Sequence, residues 1–406
     1  MIKYVICNII LQFTYFICIF ASKTMVKRII EKDIIQSIGE YPVTAIVGAR
    51  QVGKTTLAKK IIKNFENGIY LDLERNSHRV LLQTDPEKYF LINNNKLICI
   101  DEIQLLPDIF PLLRSLVDIE EYKTRFLILG SASPELLRQS SESLAGRIIY
   151  FTLTPFLLPE INTFSTIQKY HLKGGFPRSY LSKSEKSAFL WLDSFINTFL
   201  ERDLNSFGFN LPADLMRRLW RMLAHNNGQL LNSSRLGNSI GLSHTTIRRY
   251  IDILRYTYMI RILEPYYTNI KKRIVKTPKI YIIDTGILHS LLKISTFDDL
   301  FNHPVYGSSF ESLVIENVIA SFNEYDPYFY RNSNGNEIDL LLVKGQNIIA
   351  IEIKASTSPK INKGFYIACD DIKATQAFVI ADIEMTYPLK NNVMVYNLKE
   401  FLKLPL

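Results

Sequence analysis

Between Val43 and Leu153 the chain alternates short, almost unbroken apolar runs with stretches whose apolar residues recur at helical spacing. Five runs stand out: Val43–Val47, Ile69–Leu73, Leu97–Ile100, Phe126–Gly130 and Ile148–Leu153. Strands covered on both faces read as continuous apolar runs, so the pattern predicts a parallel sheet with helices on its two sides. From about Pro155 to Asn227 the pattern becomes helical, broken at Gly174-Gly175-Phe176-Pro177 and at Phe207-Gly208-Phe209. Gln229 to about Thr277 has helix–turn–helix character, and the remainder returns to a mixture, with strands expected at Glu337–Val343 and Ile348–Ile353. The expected division is therefore 25–160, 161–228, 229–277 and 278–406, preceded by a separate segment, 1–24.

That first segment needs its own account. Tyr4–Ala21 carries no charge, with Lys3 before it and Lys23 and Lys27 after. Its length lies at the lower edge for a membrane span and slightly above a signal-peptide apolar region. A membrane anchor, a secretion signal and upstream sequence translated before a true start at Met25 all fit the pattern. Secretion is the least favoured of the three, and the misplaced start is the favoured reading, with a cytoplasmic protein as its consequence. A membrane partner follows only from the anchor.

Composition narrows the class. The chain has 406 residues, 47% of them hydrophobic and 21% charged, which suits two or three globular domains and excludes a largely disordered chain. A formal charge of +9 favours a polyanionic partner, nucleic acid or an anionic surface, without bearing on the fold. Cys7, Cys18, Cys99 and Cys369 are scattered, with neither metal-type spacing nor a disulfide framework.

The strongest chemical signal follows the first strand. Gly48-Ala49-Arg50-Gln51-Val52-Gly53-Lys54-Thr55 fits G-x-x-x-x-G-K-[ST], and Thr56 continues into a helical pattern. Strand, glycine loop and helix in this order form a cradle of backbone N–H groups for phosphates, aided by the helix N-terminus. Lys54 is expected on the β- and γ-phosphates of ATP, and the Thr55 hydroxyl on Mg²⁺. The third strand ends in Asp101-Glu102. Asp101 would hold Mg²⁺, directly or through water, and Glu102 would polarise the attacking water. Ser131, after the fourth strand, and Arg147, after Gly146, are further candidates for the γ-phosphate.

Gly48–Thr55, LICIDEIQ at Leu97–Gln104, LGSAS at Leu129–Ser133 and LAGR at Leu144–Arg147 resemble a prokaryotic family of AAA-type ATPases. That family carries a C-terminal domain of uncharacterised function related to PD-(D/E)XK nucleases. GGFPR at Gly174–Arg178, FLERDL at Phe199–Leu204 and PKIYIIDTGIL at Pro278–Leu288 also match it. The resemblance implies an α/β fold: a P-loop sheet in which the Asp-Glu strand is not adjacent to the loop strand, then a winged-helix segment and a restriction-endonuclease-like domain. ATPases of this class often complete their sites with a neighbouring subunit, which makes a homo-oligomer a candidate.

Two further segments bear on partners. In 232–254 a tight turn at Gly241-Leu242-Ser243 separates two helical stretches, Ser243 being suited to cap the second. Ile247, Ile251 and Leu254 are expected inward, leaving Thr245, Thr246, Arg248 and Arg249 able to face DNA, with a basic wing at Asn269–Lys276. A packing lid or a protein contact is the alternative for the same element. In the last region Asp339 and Glu352-x-Lys354 lie on a predicted hairpin, and residues two apart on a strand share a face. In a PD-(D/E)XK site Asp339 and Glu352 would hold a second Mg²⁺ and Lys354 would activate water. Glu311 matches that family's helix glutamate better than Glu316 does. The function expected is Mg²⁺-dependent ATP hydrolysis controlling a C-terminal DNA- or partner-binding module. An ATP-regulated nuclease and a nucleotide-dependent protein-binding switch are the alternatives.

Overall fold

A computed structural model describes residues 26–130, 144–161, 166–206, 209, 211–267 and 275–406. Tyr4–Ala21, Ser131 and most of the expected basic wing lie outside these residues. Among the described residues no helix is long and apolar enough to cross a membrane.

The first unit opens with α1 (Glu31–Glu40), β1 (Val43–Val47) and α2 (Lys54–Ile62). Strands β2 (Ile69–Asp72), β3 (Leu97–Asp101), β4 (Arg125–Gly130) and β5 (Ile148–Thr152) follow. All five are parallel, in the order β2-β3-β4-β1-β5, so β4 separates the loop strand from the Asp-Glu strand, as expected. One face of the sheet packs Ile46, Leu127 and Cys99 against helices; the other packs Ala45, Ile98 and Phe126 against Phe90, Phe110 and Leu113. Burial on both faces is why each strand reads as an apolar run.

A helical region contains α3 (Ile167–Lys173) and α4 (Glu185–Thr198), the latter running into a π-helical turn at Phe199–Asp203. Then come α5 (Ala213–His225), β6 (Gln229–Leu230), α6 (Ser233–Ile240), α7 (His244–Tyr256), β7 (Ile260–Leu263) and β8 (Lys279–Ile282). β8 pairs antiparallel with both β6 and β7. A boundary at 278 would therefore cut a sheet apart; β8 belongs with the preceding helices because its ladder partners are there. Gly241 ends α6 in the left-handed region at φ 72°. Ser243 Oγ accepts from Thr246 N at 3.1 Å, and Ile247, Ile251 and Leu254 are buried beneath exposed Thr245, Arg248 and Arg249, with Thr246 half-buried.

The last unit follows α8 (Thr285–Leu291) and begins with α9 (Tyr306–Ser321). Strands β9 (Asp326–Arg331), β10 (Glu337–Lys344) and β11 (Asn347–Lys354) form an antiparallel run, α10 (Lys363–Ile372) crosses over, and β12 (Gln376–Ala381) joins β11 in parallel. Short strands β13 (Tyr387–Pro388) and β14 (Met394–Tyr396) complete a six-stranded mixed sheet.

The units share cores. One apolar cluster runs from Ile34 and Leu57 through Phe176, Phe195 and Trp220 to Leu254 and Leu288. Two glycine motifs make the junction possible. Asp284, buried at the N-cap of α8, accepts from Gly175 N at 2.7 Å and from Ile287 N at 3.0 Å. A Cβ on Gly174 would collide with the Asp284 carboxylate, and one on Gly286 with the Lys173 carbonyl. GGFPR and IDTG thus form one latch, 109 residues apart in sequence.

Candidate functional site

The loop after β1 turns where only glycine fits. Gly48 has φ 145° and its missing Cβ would occupy the place of the Leu153 carbonyl; Gly53 has φ 103° at the start of α2. Ala49 and Val52 are buried and pin the loop to the core, while Thr56 stands exposed in the first turn of α2. Gln51 adopts φ 63°, a left-handed conformation without glycine, which marks a tightly determined loop.

Lys54 is buried and donates to the carbonyls of Gly48 and Ala49, both at 2.9 Å. Burial pulls its ammonium down to about 8, opposed by the charges of Glu102 and Asp101. Across β4, Thr55 Oγ1 donates to Asp101 Oδ2 at 2.6 Å, and Tyr70 from β2 donates to the same oxygen at 2.6 Å. The other carboxylate oxygen of Asp101 accepts from Glu102 N at 3.0 Å. Glu102 sits just past the strand end with φ 56° and ψ 46°. That conformation costs about 1–3 kcal/mol, and such backbone outliers cluster at functional sites. Burial raises the Glu102 carboxyl, with Lys54 and a hydrogen bond from Gln104 acting against it. A more basic carboxylate is a better proton acceptor.

The structure brings Gly48–Thr55, Asp101 and Glu102 to one edge of the sheet and leaves Arg147 elsewhere. Arg147 precedes β5, and its carbonyl accepts from Val43 N at 3.2 Å, at the start of β1 rather than its end. Five residues of extended strand, roughly 16 Å at the usual rise, separate that level from the loop. Its guanidinium instead forms a bidentate pair with Asp118, at 2.6 and 3.0 Å. An arginine after a polar loop gives no indication of which sheet edge the loop follows, and here it is the far one.

Two arginines, Arg50 within the loop and Arg28 outside it, tie the loop to the rest of the chain through partners that the sequence reading did not foresee. Arg50 pairs with buried Asp203, in the π-helical turn. Arg28, also buried, donates to Val52 O at 3.1 Å, Thr154 O at 2.6 Å and Glu160 Oε1 at 2.9 Å. Their partners lie 24 to 153 residues away, beyond any local pattern. Tyr70 was missed as well, because only the pairing of β2 with β3 shows that its hydroxyl reaches Asp101.

The C-terminal carboxylates form a second charged cluster. Lys354 Nζ lies 2.6 Å from Glu352 and 3.9 Å from Asp339, so the E-x-K pair shares a face as expected. Asp339 Oδ2 accepts from Ile353 N at 2.9 Å. Glu311 of α9 accepts from Tyr281 at 2.5 Å and pairs with Lys279 at 3.3 Å. Glu316 does not enter the cluster; it pairs with Arg261. Burial pushes both Glu311 and Glu352 upward, with Asp339 adding to each. Among the described residues no group of three or more His, Cys, Asp or Glu side chains is arranged to hold a metal ion.

Residues 40–162 match the model of an AAA domain, 165–298 a domain of unknown function (DUF8612), and 306–401 another (DUF4143). The uncharacterized proteins Rv2008c of Mycobacterium tuberculosis and Mb2031c of Mycobacterium bovis are each 38% identical to this chain over 359 residues, covering 88% of it and 80% of their own length. The chain belongs to their family. A protein of Methanocaldococcus jannaschii, MJECL04, is 24% identical over 317 residues, 69% of each chain. The Walker-type ATPase PABY2304 of Pyrococcus abyssi superposes with a TM-score of 0.47 at 15% identity, over 67% of this chain and 97% of its own. With an AAA domain at 40–162, the chain is an ATP-binding ATPase.

Proposed function

We propose that the chain is a Mg²⁺-dependent ATPase whose nucleotide state is passed to its C-terminal half, a DNA- or partner-binding module. The observation that carries the first part is the 2.6 Å hydrogen bond from Thr55 to Asp101, which joins loop and acidic strand across β4. This hydroxyl and carboxylate suit Mg²⁺, which takes few protein ligands and keeps phosphate oxygens and water for the rest. Bound there with ATP, it would neutralise charge on the β- and γ-phosphates. Lys54 would leave the loop carbonyls for phosphate oxygens. Glu102, held at the strand end by its own backbone and by Gln104, would take the proton of the attacking water. Asp101, fixed by Tyr70 as well as Thr55, would keep its carboxylate aimed at the loop edge. Ser131 directly follows β4 and stays a candidate for the γ-phosphate.

The second part rests on Arg50 and Arg28. A phosphate-dependent shift of the loop would pull on Asp203 through Arg50 and on the Thr154–Glu160 segment through Arg28. That segment leads on, because Phe156 N donates to Gly175 O at 2.7 Å and Gly175 holds Asp284. The α6–α7 pair, with its three-stranded sheet, supports a winged helix whose exposed Arg248 and Arg249 would meet phosphates. The order α9, β9–β11, α10, β12 supports a PD-(D/E)XK-like fold for the last unit. The proposed units are an ATPase at 25–160, a helical connector, a winged helix that extends to β8, and the nuclease-like unit beyond it.

ATP turnover measured with and without double-stranded DNA tests both parts. Lys54→Ala is expected to abolish nucleotide binding or turnover. Glu102→Gln should bind ATP yet turn over about 10²–10⁴-fold more slowly, the usual contribution of a general base. Normal turnover in Glu102→Gln removes the base assignment, and an ATPase rate indifferent to DNA together with no salt-dependent DNA binding moves the partner to protein.

A further inference from the structure

The PD-(D/E)XK reading implies a divalent ion on Asp339 and Glu352, and the side chains around them do not suit one. Lys279, from β8 of the middle unit, reaches across into the cluster with its side chain 4% exposed. Its Nζ lies 2.6 Å from Glu337, 3.3 Å from Glu311 and 3.6 Å from Asp339. Two residues further along the same strand face, Tyr281 donates to Glu311. The middle unit is close here in its backbone as well, since a Cβ on Gly228 would lie 3.3 Å from Glu311 Oε2. Arg331 closes the far side, 3.3 Å from Glu337.

Glu311, Glu337, Asp339 and Glu352 therefore face Lys279, Lys354 and Arg331. Four carboxylates against three cations leave little negative charge to draw in another ion. A divalent ion on Asp339 would sit within a few ångströms of two ammonium groups, one of which is anchored by a strand and closed off from water. Mg²⁺ also requires near-octahedral oxygens at about 2.0–2.1 Å. Here those oxygens are turned toward nitrogen donors.

We infer that Lys279 is the resident cation of this cluster: it ties the middle unit to the C-terminal unit and takes the place that a divalent ion would need. The C-terminal carboxylates of this chain are then an ion lock between units rather than a metal centre. The inference stands apart from nucleotide turnover, because no residue of the loop enters it.

The test counts Mn²⁺ bound to the full-length, nucleotide-free protein by electron paramagnetic resonance. Wild type and Asp339→Asn are expected to bind the same number of ions. Lys279→Met, which removes the ammonium and keeps the stem, is expected to gain one, and Lys279→Met/Asp339→Asn to lose it again. Lys279→Arg, which keeps the charge, is expected to gain none. Binding in the wild type that disappears in Asp339→Asn overturns the proposal whatever the variants do. So does a folded Lys279→Met that gains no ion, or a gain in Lys279→Arg. If Lys279→Met fails to fold while Lys279→Arg folds, the lock is supported by its charge requirement alone.

Discussion

At Gly48 the requirement is steric and local: φ is 145° and the carbonyl of Leu153 lies where a side chain would begin. Gly48→Ala therefore cannot be absorbed by a rotamer change. It is expected to reduce ATP binding at least as far as Lys54→Ala does while the rest of the fold persists, as equilibrium nucleotide binding alongside circular dichroism would reveal; wild-type affinity would show that the loop relaxes. The loop was legible in the sequence because glycine, lysine and threonine at fixed spacing encode a backbone path and its chemistry together. Arg147 was misleading for the opposite reason. A guanidinium reaches far, and only the direction of β5, set by its pairing with β1, decides which sheet edge it serves.

Among the elements, the strands were the most legible. Val43–Val47 was read to the residue and the other four to within one at each end, since burial on both faces writes itself as an apolar run. What holds the elements together was not legible. Arg28 precedes α1 and bonds Val52, Thr154 and Glu160, tying the P-loop to the segment that follows β5. Both members of the Arg28–Glu160 pair are almost wholly buried, at 6% and 2% exposure. Removing one partner of such a pair leaves an uncompensated charge, so Arg28→Met should cost about 3–5 kcal/mol. Chemical denaturation would measure it, and a loss below about 1 kcal/mol would mean that Glu160 finds water or another partner. The FLERDL match acquires a physical reason at this scale too. Its Asp203 closes a π-helical turn, and such turns recur at functional sites because they shift a side chain out of helical register.

Across the whole molecule, a buried trio joins the helical region to the last unit. His289 Nδ1 lies 3.0 Å from the Leu172 carbonyl, which can only accept, so the proton sits there. His289 Nε2 then accepts from Ser309, 2.7 Å away, leaving His171 Nε2 to donate to the same hydroxyl at 2.9 Å. This chain of bonds requires His289 to be neutral, since a proton on its Nε2 would remove the acceptor that Ser309 donates to. Burial accordingly pulls His171 well down and His289 to about 4, whereas burial raises Asp284 to about 6. Unfolding thus takes up protons on both histidines below about 6.5, and their share of stability, complete above that pH, is lost as pH falls toward 4. Asp284 acts in the other direction below about 6, one group against two. The unfolding free energy is expected to fall between pH 6.5 and 5, with a slope approaching about 1.4 kcal/mol per unit for each net proton, and the melting temperature to fall with it. His289→Gln should make that slope shallower. A melting temperature flat over this range would show that the trio already tolerates charge.

The contact at Lys279 also bears on how such a chain can be inherited or cut. Its three matching segments, 40–162, 165–298 and 306–401, suggest parts that recombine freely. The seam between the last two does not allow it. A fragment beginning after residue 298 would retain Glu311, Glu337, Asp339 and Glu352 and lose the ammonium that three of them share. A chimera that keeps Lys279 but receives a last segment lacking those carboxylates would bury a charge with nothing to meet it. Exchanging the two segments together keeps Lys279 with the carboxylates it meets here.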